Sequence, residues 1–193
     1  MIRILKLRLS HFVTLESDKM GYIFMTGIHG VGKTTLIRKL QKEIKLSAYS
    51  VSDLIRSAGN NIDTSEKNTG NISGNQELWK KQLLDINVEN NAQLLLDGHC
   101  CLLDKNGNIY EIPQDTFKDT DLNKIILIKN NPEVIVGNLW KRDNKEYEVE
   151  FIKKFQKCEE ECAIKLSETY HVPLFVYDNI NKYGNLKKFI IEE

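Results

Sequence analysis

The chain has 193 residues, 41% of them hydrophobic, with 27 Lys+Arg against 27 Asp+Glu and a formal net charge of zero. That length suits one ordinary domain with its own core, here residues 1–193, and excludes a second catalytic module. Balanced charge gives no global attraction for nucleic acid or an acidic membrane, and no apolar run is long enough to span a bilayer, so the expected location is the cytoplasm.

Residues 1–20 read as an N-terminal extension. Arg3, Lys6 and Arg8 are interleaved with Ile2, Ile4, Leu7 and Leu9, which predicts a strand with one wet face rather than a targeting signal. Such a segment suits an added edge strand or an arm that docks a protein partner. Next, Tyr22-Ile23-Phe24-Met25 predicts a buried strand, and Leu36, Ile37, Leu40 and Ile44 have the spacing of a helix. Between them lies Gly27-Ile28-His29-Gly30-Val31-Gly32-Lys33-Thr34, which fits the pattern GxxxxGK(S/T) at every fixed position. Strand, glycine loop and helix in that order predict a triphosphate-binding loop. The backbone N–H groups from Gly27 to Thr35 cradle the phosphates, Lys33 reaches the β/γ-phosphates, and the Thr34 hydroxyl ligates Mg²⁺. Because that cradle binds through main chain, the side chains of His29 and Val31 are free to serve elsewhere, and His29 is expected to face outward.

After the first helix, residues 46–51 predict a second strand, and Ser52 and Asp53 offer capping oxygens to a short helix through Leu54, Ile55 and Arg56. Residues 59–75 turn to Asn, Ser, Thr and Gly, a surface loop by composition. A helix carrying Leu78, Trp79, Leu83, Leu84 and Ile86 leads to Leu94-Leu95-Leu96-Asp97, an apolar strand ending in a carboxylate. An acid at that strand end, placed after a glycine loop, holds Mg²⁺ through water and completes the metal site that Thr34 begins. Asn106-Gly107 between short apolar runs predicts a hairpin over 102–112. A strand follows over 124–128, then a helix opened by Pro132, a charged stretch from Lys141 to Glu146, a long helix, a strand over 174–177 and a final helix. In the long helix Phe151, Phe155, Cys158, Cys162 and Leu166 make one apolar stripe, so these two cysteines are read as core rather than as zinc ligands. Together the elements predict an α/β three-layer sandwich around a five-stranded parallel sheet, with a small inserted hairpin and a lid.

Several of these segments resemble the adenylate kinase and nucleoside monophosphate kinase family, and the compact archaeal-type adenylate kinases most closely. Residues 26–35 look like its glycine loop. Ser50-Val51-Ser52-Asp53-Leu54-Ile55-Arg56 is similar to its monophosphate-binding segment, Leu95-Leu96-Asp97-Gly98 to its second strand end, and His99 with the hairpin to the archaeal-type branch. Residues 152–179 resemble its closing helix and base-proximal strand, which implies that Asn179 lies beside the base. The resemblance implies a P-loop fold using ATP and Mg²⁺ to phosphorylate a small acceptor, a nucleoside monophosphate. It makes residues 52–75 the acceptor-binding segment and 141–148 the lid. Arg56 would grip the acceptor phosphate bidentately, and Arg142 would close over the moving group as an arginine finger. Lys33 and Asp97 complete the catalytic set. His99, just past Asp97, could position water or substrate. The lid departs from the family in offering Lys141, Arg142 and Lys145, with Asn138 and Tyr147 where further guanidiniums are usual, so charge neutralisation has fewer fixed forks. Two other readings stay open: a slow ATPase switch or assembly subunit acting through a protein partner, and a kinase of a nucleoside or nucleotide sugar.

Overall fold

The computed structural model describes residues 21–58, 72–88, 91–178 and 182–192. The N-terminal extension, residues 59–71 of the acceptor-binding segment and Asn179 therefore lie outside the described residues. In chain order the elements are β1 (Tyr22–Thr26), α1 (Lys33–Leu40), β2 (Leu46–Ser50), α2 (Val51–Ser57), α3 (Ile72–Leu84), β3 (Gln93–Asp97), β4 (Cys101–Leu103) and β5 (Ile109–Glu111). A 3₁₀ turn (Gln114–Phe117) follows, then β6 (Leu122–Ile128), α4 (Pro132–Asp143), α5 (Val149–Tyr170), β7 (Leu174–Tyr177) and α6 (Tyr183–Ile191).

Five strands pair in parallel in the order β2-β3-β1-β6-β7, and β4 and β5 form a separate antiparallel hairpin. The central strands are apolar on both faces. Ile23, Phe24, Met25, Leu95, Leu96, Ile125, Ile126 and Leu127 are all buried, as a parallel sheet covered by helices on both sides requires. Right-handed crossovers put the helix that leads outward from β1 to β2 on the opposite face from those that lead back across the sheet. Consistent with that, α1 and α6 lie together. Glu43, just past α1, accepts from Tyr183 Oη at 2.9 Å, and the Lys39 ammonium sits 3.7 Å above the Tyr183 ring.

Local chemistry sets the element ends. Asn131 caps α4 by accepting from Glu133 N at 2.9 Å, with Pro132 at the first helical position, as the sequence predicts. The hairpin turn is held by Asp104, whose Oδ1 accepts from the amides of Asn106 and Asn108, both at 2.8 Å. Several boundaries differ from expectation; besides β2 ending at Ser50 and β6 beginning at Leu122, three concern helices. The first helix stops at Leu40, and residues 41–44 continue as turns that still bring Ile44 against the core. The short helix starts one residue earlier than its predicted caps: Ser50 is its N-cap, and Ser52 is inside, bonded to Ser50 Oγ at 2.7 Å. Finally, α3 begins at Ile72, so residues 72–75 are helical where composition predicts loop. Asn, Ser and Gly have low helix propensity, but α3 packs on α2, and the two and a half turns that follow extend the helix backwards through them. Among the described residues no helix is long and apolar enough to cross a membrane.

Candidate functional site

The carboxyl ends of β1, β2 and β3 lie side by side, with Met25 and Ser50 both in register with Asp97. The chain leaves β1 for β2 on one side and β3 for β6 on the other. This crevice is therefore the point where the winding reverses, the usual ligand position in open α/β sheets.

The glycine loop fills one wall. Gly30 and Gly32 have φ of 80° and 108°, in the left-handed region where a side chain is strained. At Gly30 space is also lacking: a Cβ there would come within 2.8 Å of Leu139 Cγ. From α4, Asn138 Nδ2 donates to Gly30 O at 2.9 Å, so the residue standing where a guanidinium was expected is instead a brace for the loop. Gly32 is the N-cap of α1. No side chain caps that helix and no acid occupies its first turn, so its leading amides present partial positive charge to the crevice. Thr34 and Thr35 lie in that first turn and are exposed.

Lys33 is only 7% exposed. Its ammonium donates to Gly27 O and sits 3.4 Å from His99 Nδ1 and 3.6 Å from Asp97 Oδ1. Burial lowers the Lys33 pKa and raises that of Asp97, with each partly offsetting the other's shift. His99 is held neutral. Burial pushes its pKa well below the usual imidazole range, and the charges of Lys33, His29 and Arg142 push the same way. The His29 ring lies against that of His99, with centroids 4.1 Å apart. His29 is half-buried, so the expectation that it faces outward is corrected: the apolar ring faces pack together at the crevice.

Sequence reasoning missed Glu159. It sits on α5, is 0% exposed, and lies directly beneath the loop. Its carboxylate accepts from four donors: Thr26 Oγ1, Gly27 N at 2.9 Å, Cys100 N at 3.0 Å and Cys101 N at 2.7 Å. One side chain thus ties α5 to the start of the loop and to the turn after Asp97. Burial raises its pKa against the lowering effect of those donors and of Lys33. The buried face of α5 is therefore not wholly apolar. Gln156 is also inside, exchanging hydrogen bonds of 3.0 Å with Asn130 N and O. The signal was available: Glu159 lies four residues after Phe155 and three before Cys162, on the same stripe.

The two arginines stand further out. Arg56 is on α2, which starts beside Asp97, and it pairs with Asp53 on its own helix. Arg142 is in the last turn of α4, where its Nε and Nη2 fork the Asp143 carboxylate at 3.0 Å each. Its charge nonetheless lowers the pKa of both Lys33 and His99. The segment 141–148 comprises this last helical turn and the connection to α5. Among the described residues no group of three or more His, Cys, Asp or Glu side chains is arranged for a metal ion. The uncapped helix end, buried ammonium and strand-end carboxylate do suit a polyphosphate carrying its own Mg²⁺, which Thr34 and Asp97 would hold.

A sequence profile described as an AAA domain matches residues 26–156. Among solved structures, shikimate kinase from Acinetobacter baumannii in complex with shikimate is similar with a TM-score of 0.56 at 13% identity, over 90% of this chain and 92% of that one. An uncharacterized protein from Eubacterium ventriosum gives 0.49 at 12% over 90% and 100%, and a gluconokinase from Sinorhizobium meliloti 0.47 at 9% over 89% of each. The shikimate kinase likeness establishes the α/β fold of phosphate-loop kinases. No curated protein matches the sequence.

Removing the Glu159 carboxylate strands two buried amides, Gly27 N and Cys101 N, and leaves Cys100 N with Thr26 Oγ1 alone. Glu159→Ala is expected to lower unfolding free energy by about 3 kcal/mol, and Glu159→Gln by less, in urea titrations. A loss under about 1 kcal/mol for the alanine variant would contradict the anchoring role. His99 makes a second prediction. Its folded pKa is depressed, so the unfolded chain binds more protons below the ordinary histidine range. Stability is then full above roughly pH 7 and falls as pH drops through about 6.5 toward the folded pKa. The thermal midpoint should show that slope in the native chain and a shallower one in His99→Gln. Equal slopes would mean that His99 does not carry it.

Proposed function

The chain belongs to the AAA domain family, and from that premise we propose that it transfers the γ-phosphoryl group of ATP to a small acceptor, with a nucleoside monophosphate as the acceptor class. The observation that carries this reading is the meeting of the uncapped α1 end, the buried Lys33 ammonium and Asp97 at one strand-end crevice. The step needs little covalent help. An acceptor oxygen attacks the γ-phosphorus, the bond to the β–γ bridging oxygen breaks, and ADP leaves with that oxygen. What the protein supplies is alignment, exclusion of water and positive charge.

Each residue then has a task. Loop amides from Gly27 to Thr35 cradle the donor phosphates. Lys33 turns from Gly27 O toward the β/γ-oxygens, a movement of one flexible side chain, and neutralises charge there. Mg²⁺, when bound, would supply further charge neutralisation on the phosphates, and Thr34 and Asp97 are the residues that would hold it. Arg56 holds the acceptor phosphate once it leaves Asp53. Arg142, whose field already reaches Lys33, turns from Asp143 to the transferring group. Support for the monophosphate as acceptor is the placement of α2 at the end of β2, with Ser50 in register with Asp97. That brings an arginine-bearing helix next to the donor site, where a second anion needs a fork.

The test is acceptor-dependent ADP formation from Mg²⁺-ATP with a panel of nucleoside monophosphates, nucleosides, sugars and hydroxy acids. Turnover with a monophosphate supports the proposal. Turnover only with an unphosphorylated alcohol would replace the acceptor class, and the same slow ADP release with every acceptor would favour a switch. Lys33→Ala should abolish turnover, by a factor of roughly 10³ or more. For the arginines, Arg56→Ala should raise the acceptor KM with kcat little changed, while Arg142→Ala should lower kcat. An unchanged acceptor KM would remove Arg56 from the site.

A further inference from the structure

We propose that Cys101 and Cys158 are a redox-modifiable pair that closes to a disulfide and fastens the β4–β5 hairpin to α5 beneath the glycine loop. The two residues are 57 positions apart, on different elements, yet their Sγ atoms lie 3.2 Å from each other. Both are free thiols in the structure. The main chain around them is already locked, since Cys101 N donates to the carboxylate of Glu159, the residue after Cys158, at 2.7 Å. Bringing the sulfurs to bonding distance therefore asks for about 1 Å of side-chain approach rather than a rearrangement of elements.

The other two cysteines are differently engaged. Cys100 Sγ accepts from Thr26 Oγ1 at 3.4 Å, and Cys162 Sγ donates to Cys100 O at 3.6 Å. Cys162 also lies near the Cys100 and Cys101 thiols, whose hydrogen bonds lower its pKa, but it is buried at 3% exposure and out of reach of an oxidant. Cys158 is the half-buried member, at the rim beside Glu111. Reagent therefore arrives at Cys158 first, and Cys101 resolves.

The oxidant class is a low-molecular-weight disulfide, RS–SR. Deprotonated Cys158 attacks one of its sulfurs, forming a mixed disulfide and expelling one RS⁻. Cys101, after losing its proton, attacks Cys158 Sγ and expels the second RS⁻. The two protein thiols lose two electrons and two protons, and RS–SR becomes two RSH. Burial and the nearby Glu111 carboxylate raise the Cys158 pKa, and hydrogen bonding to Cys162 together with burial raises that of Cys101 further, so both thiolate fractions are small and both steps are slow. Such a pair responds to sustained rather than brief oxidation.

The consequence for the site rests on the phosphoryl-transfer reading. The disulfide stiffens the segment running from Asp97 through His99 to Cys101 in the arrangement where Lys33 is folded onto Gly27 O, so ATP affinity should fall severalfold on oxidation. The experiment incubates the folded full chain with oxidised glutathione, then alkylates, digests and maps cross-links by mass. A Cys101–Cys158 cross-link that dithiothreitol reverses, that raises the thermal midpoint, and that Cys162→Ser leaves intact while Cys158→Ser abolishes, supports the pair. Cross-links joining Cys162 to Cys100 or Cys101, or four thiols still free after prolonged exposure, would overturn it. Calorimetry with ATP on reduced and oxidised protein separates the two claims. Binding unchanged by the cross-link sinks the coupling, whereas failure of the reduced protein to bind ATP sinks the reading of the site and leaves the disulfide standing.

Discussion

A single buried carboxylate organises this molecule. Glu159 receives hydrogen bonds from Thr26, Gly27, Cys100 and Cys101, and so joins the long helix α5 to the two turns that leave the adjacent strands β1 and β3. Taking a carboxylate from water costs several kcal/mol, and four donors are what makes the position tolerable. Those donors also lose little freedom on binding it, because each already belongs to a strand end or tight turn. The result is a fixed separation between the glycine loop and the turn bearing Asp97 and His99, which no apolar contact would set so directionally.

Above that anchor the electrostatics are arranged around a buried ammonium. Lys33 is stripped of water, and its compensation comes from a carbonyl, a neutral imidazole, the Asp97 carboxylate at the edge of the crevice and the field of the buried Glu159. None of these is a close ion pair. An incoming polyphosphate therefore offers the ammonium more charge than its present neighbours do, and the helix end behind it adds to the same field. Four elements converge here: the loop from β1, the turn from β3, the brace Asn138 on α4 and Glu159 on α5. The site is a product of the whole sheet order and not of the loop alone.

Much of this was legible in the chain. The glycine loop, the apolar strands 22–25, 94–96 and 124–128, the Asn106-Gly107 hairpin and Pro132 at a helix start all rest on local signals, periodicity or backbone conformation, which act within a few residues. Glu159 was passed over although it falls on the apolar stripe, because it stands in the run Glu159-Glu160-Glu161, whose composition reads as a wetted face. A helix turns about 100° per residue, so one glutamate of three points inward while its neighbours do not. His29 was misplaced for a related reason: its environment is the ring of His99, about 70 positions away in sequence. The start of α3 was missed because packing on α2 outweighed weak propensity. In each case the deciding contact is distant along the chain.

The strand order carries a consequence for how the protein is made. β1, the strand that opens into the loop, is central and pairs with β3 and β6, the latter ending at Ile128. A ribosome that has released Thr26 must add about 100 more residues before both partners of β1 exist, which takes on the order of 5–20 s at usual elongation speeds. For about 70 of those residues, until β3 ends at Asp97, this nearly all-apolar segment has neither neighbour, so the hazard of aggregation during synthesis lies in β1, the first of the described strands, rather than at a sheet edge.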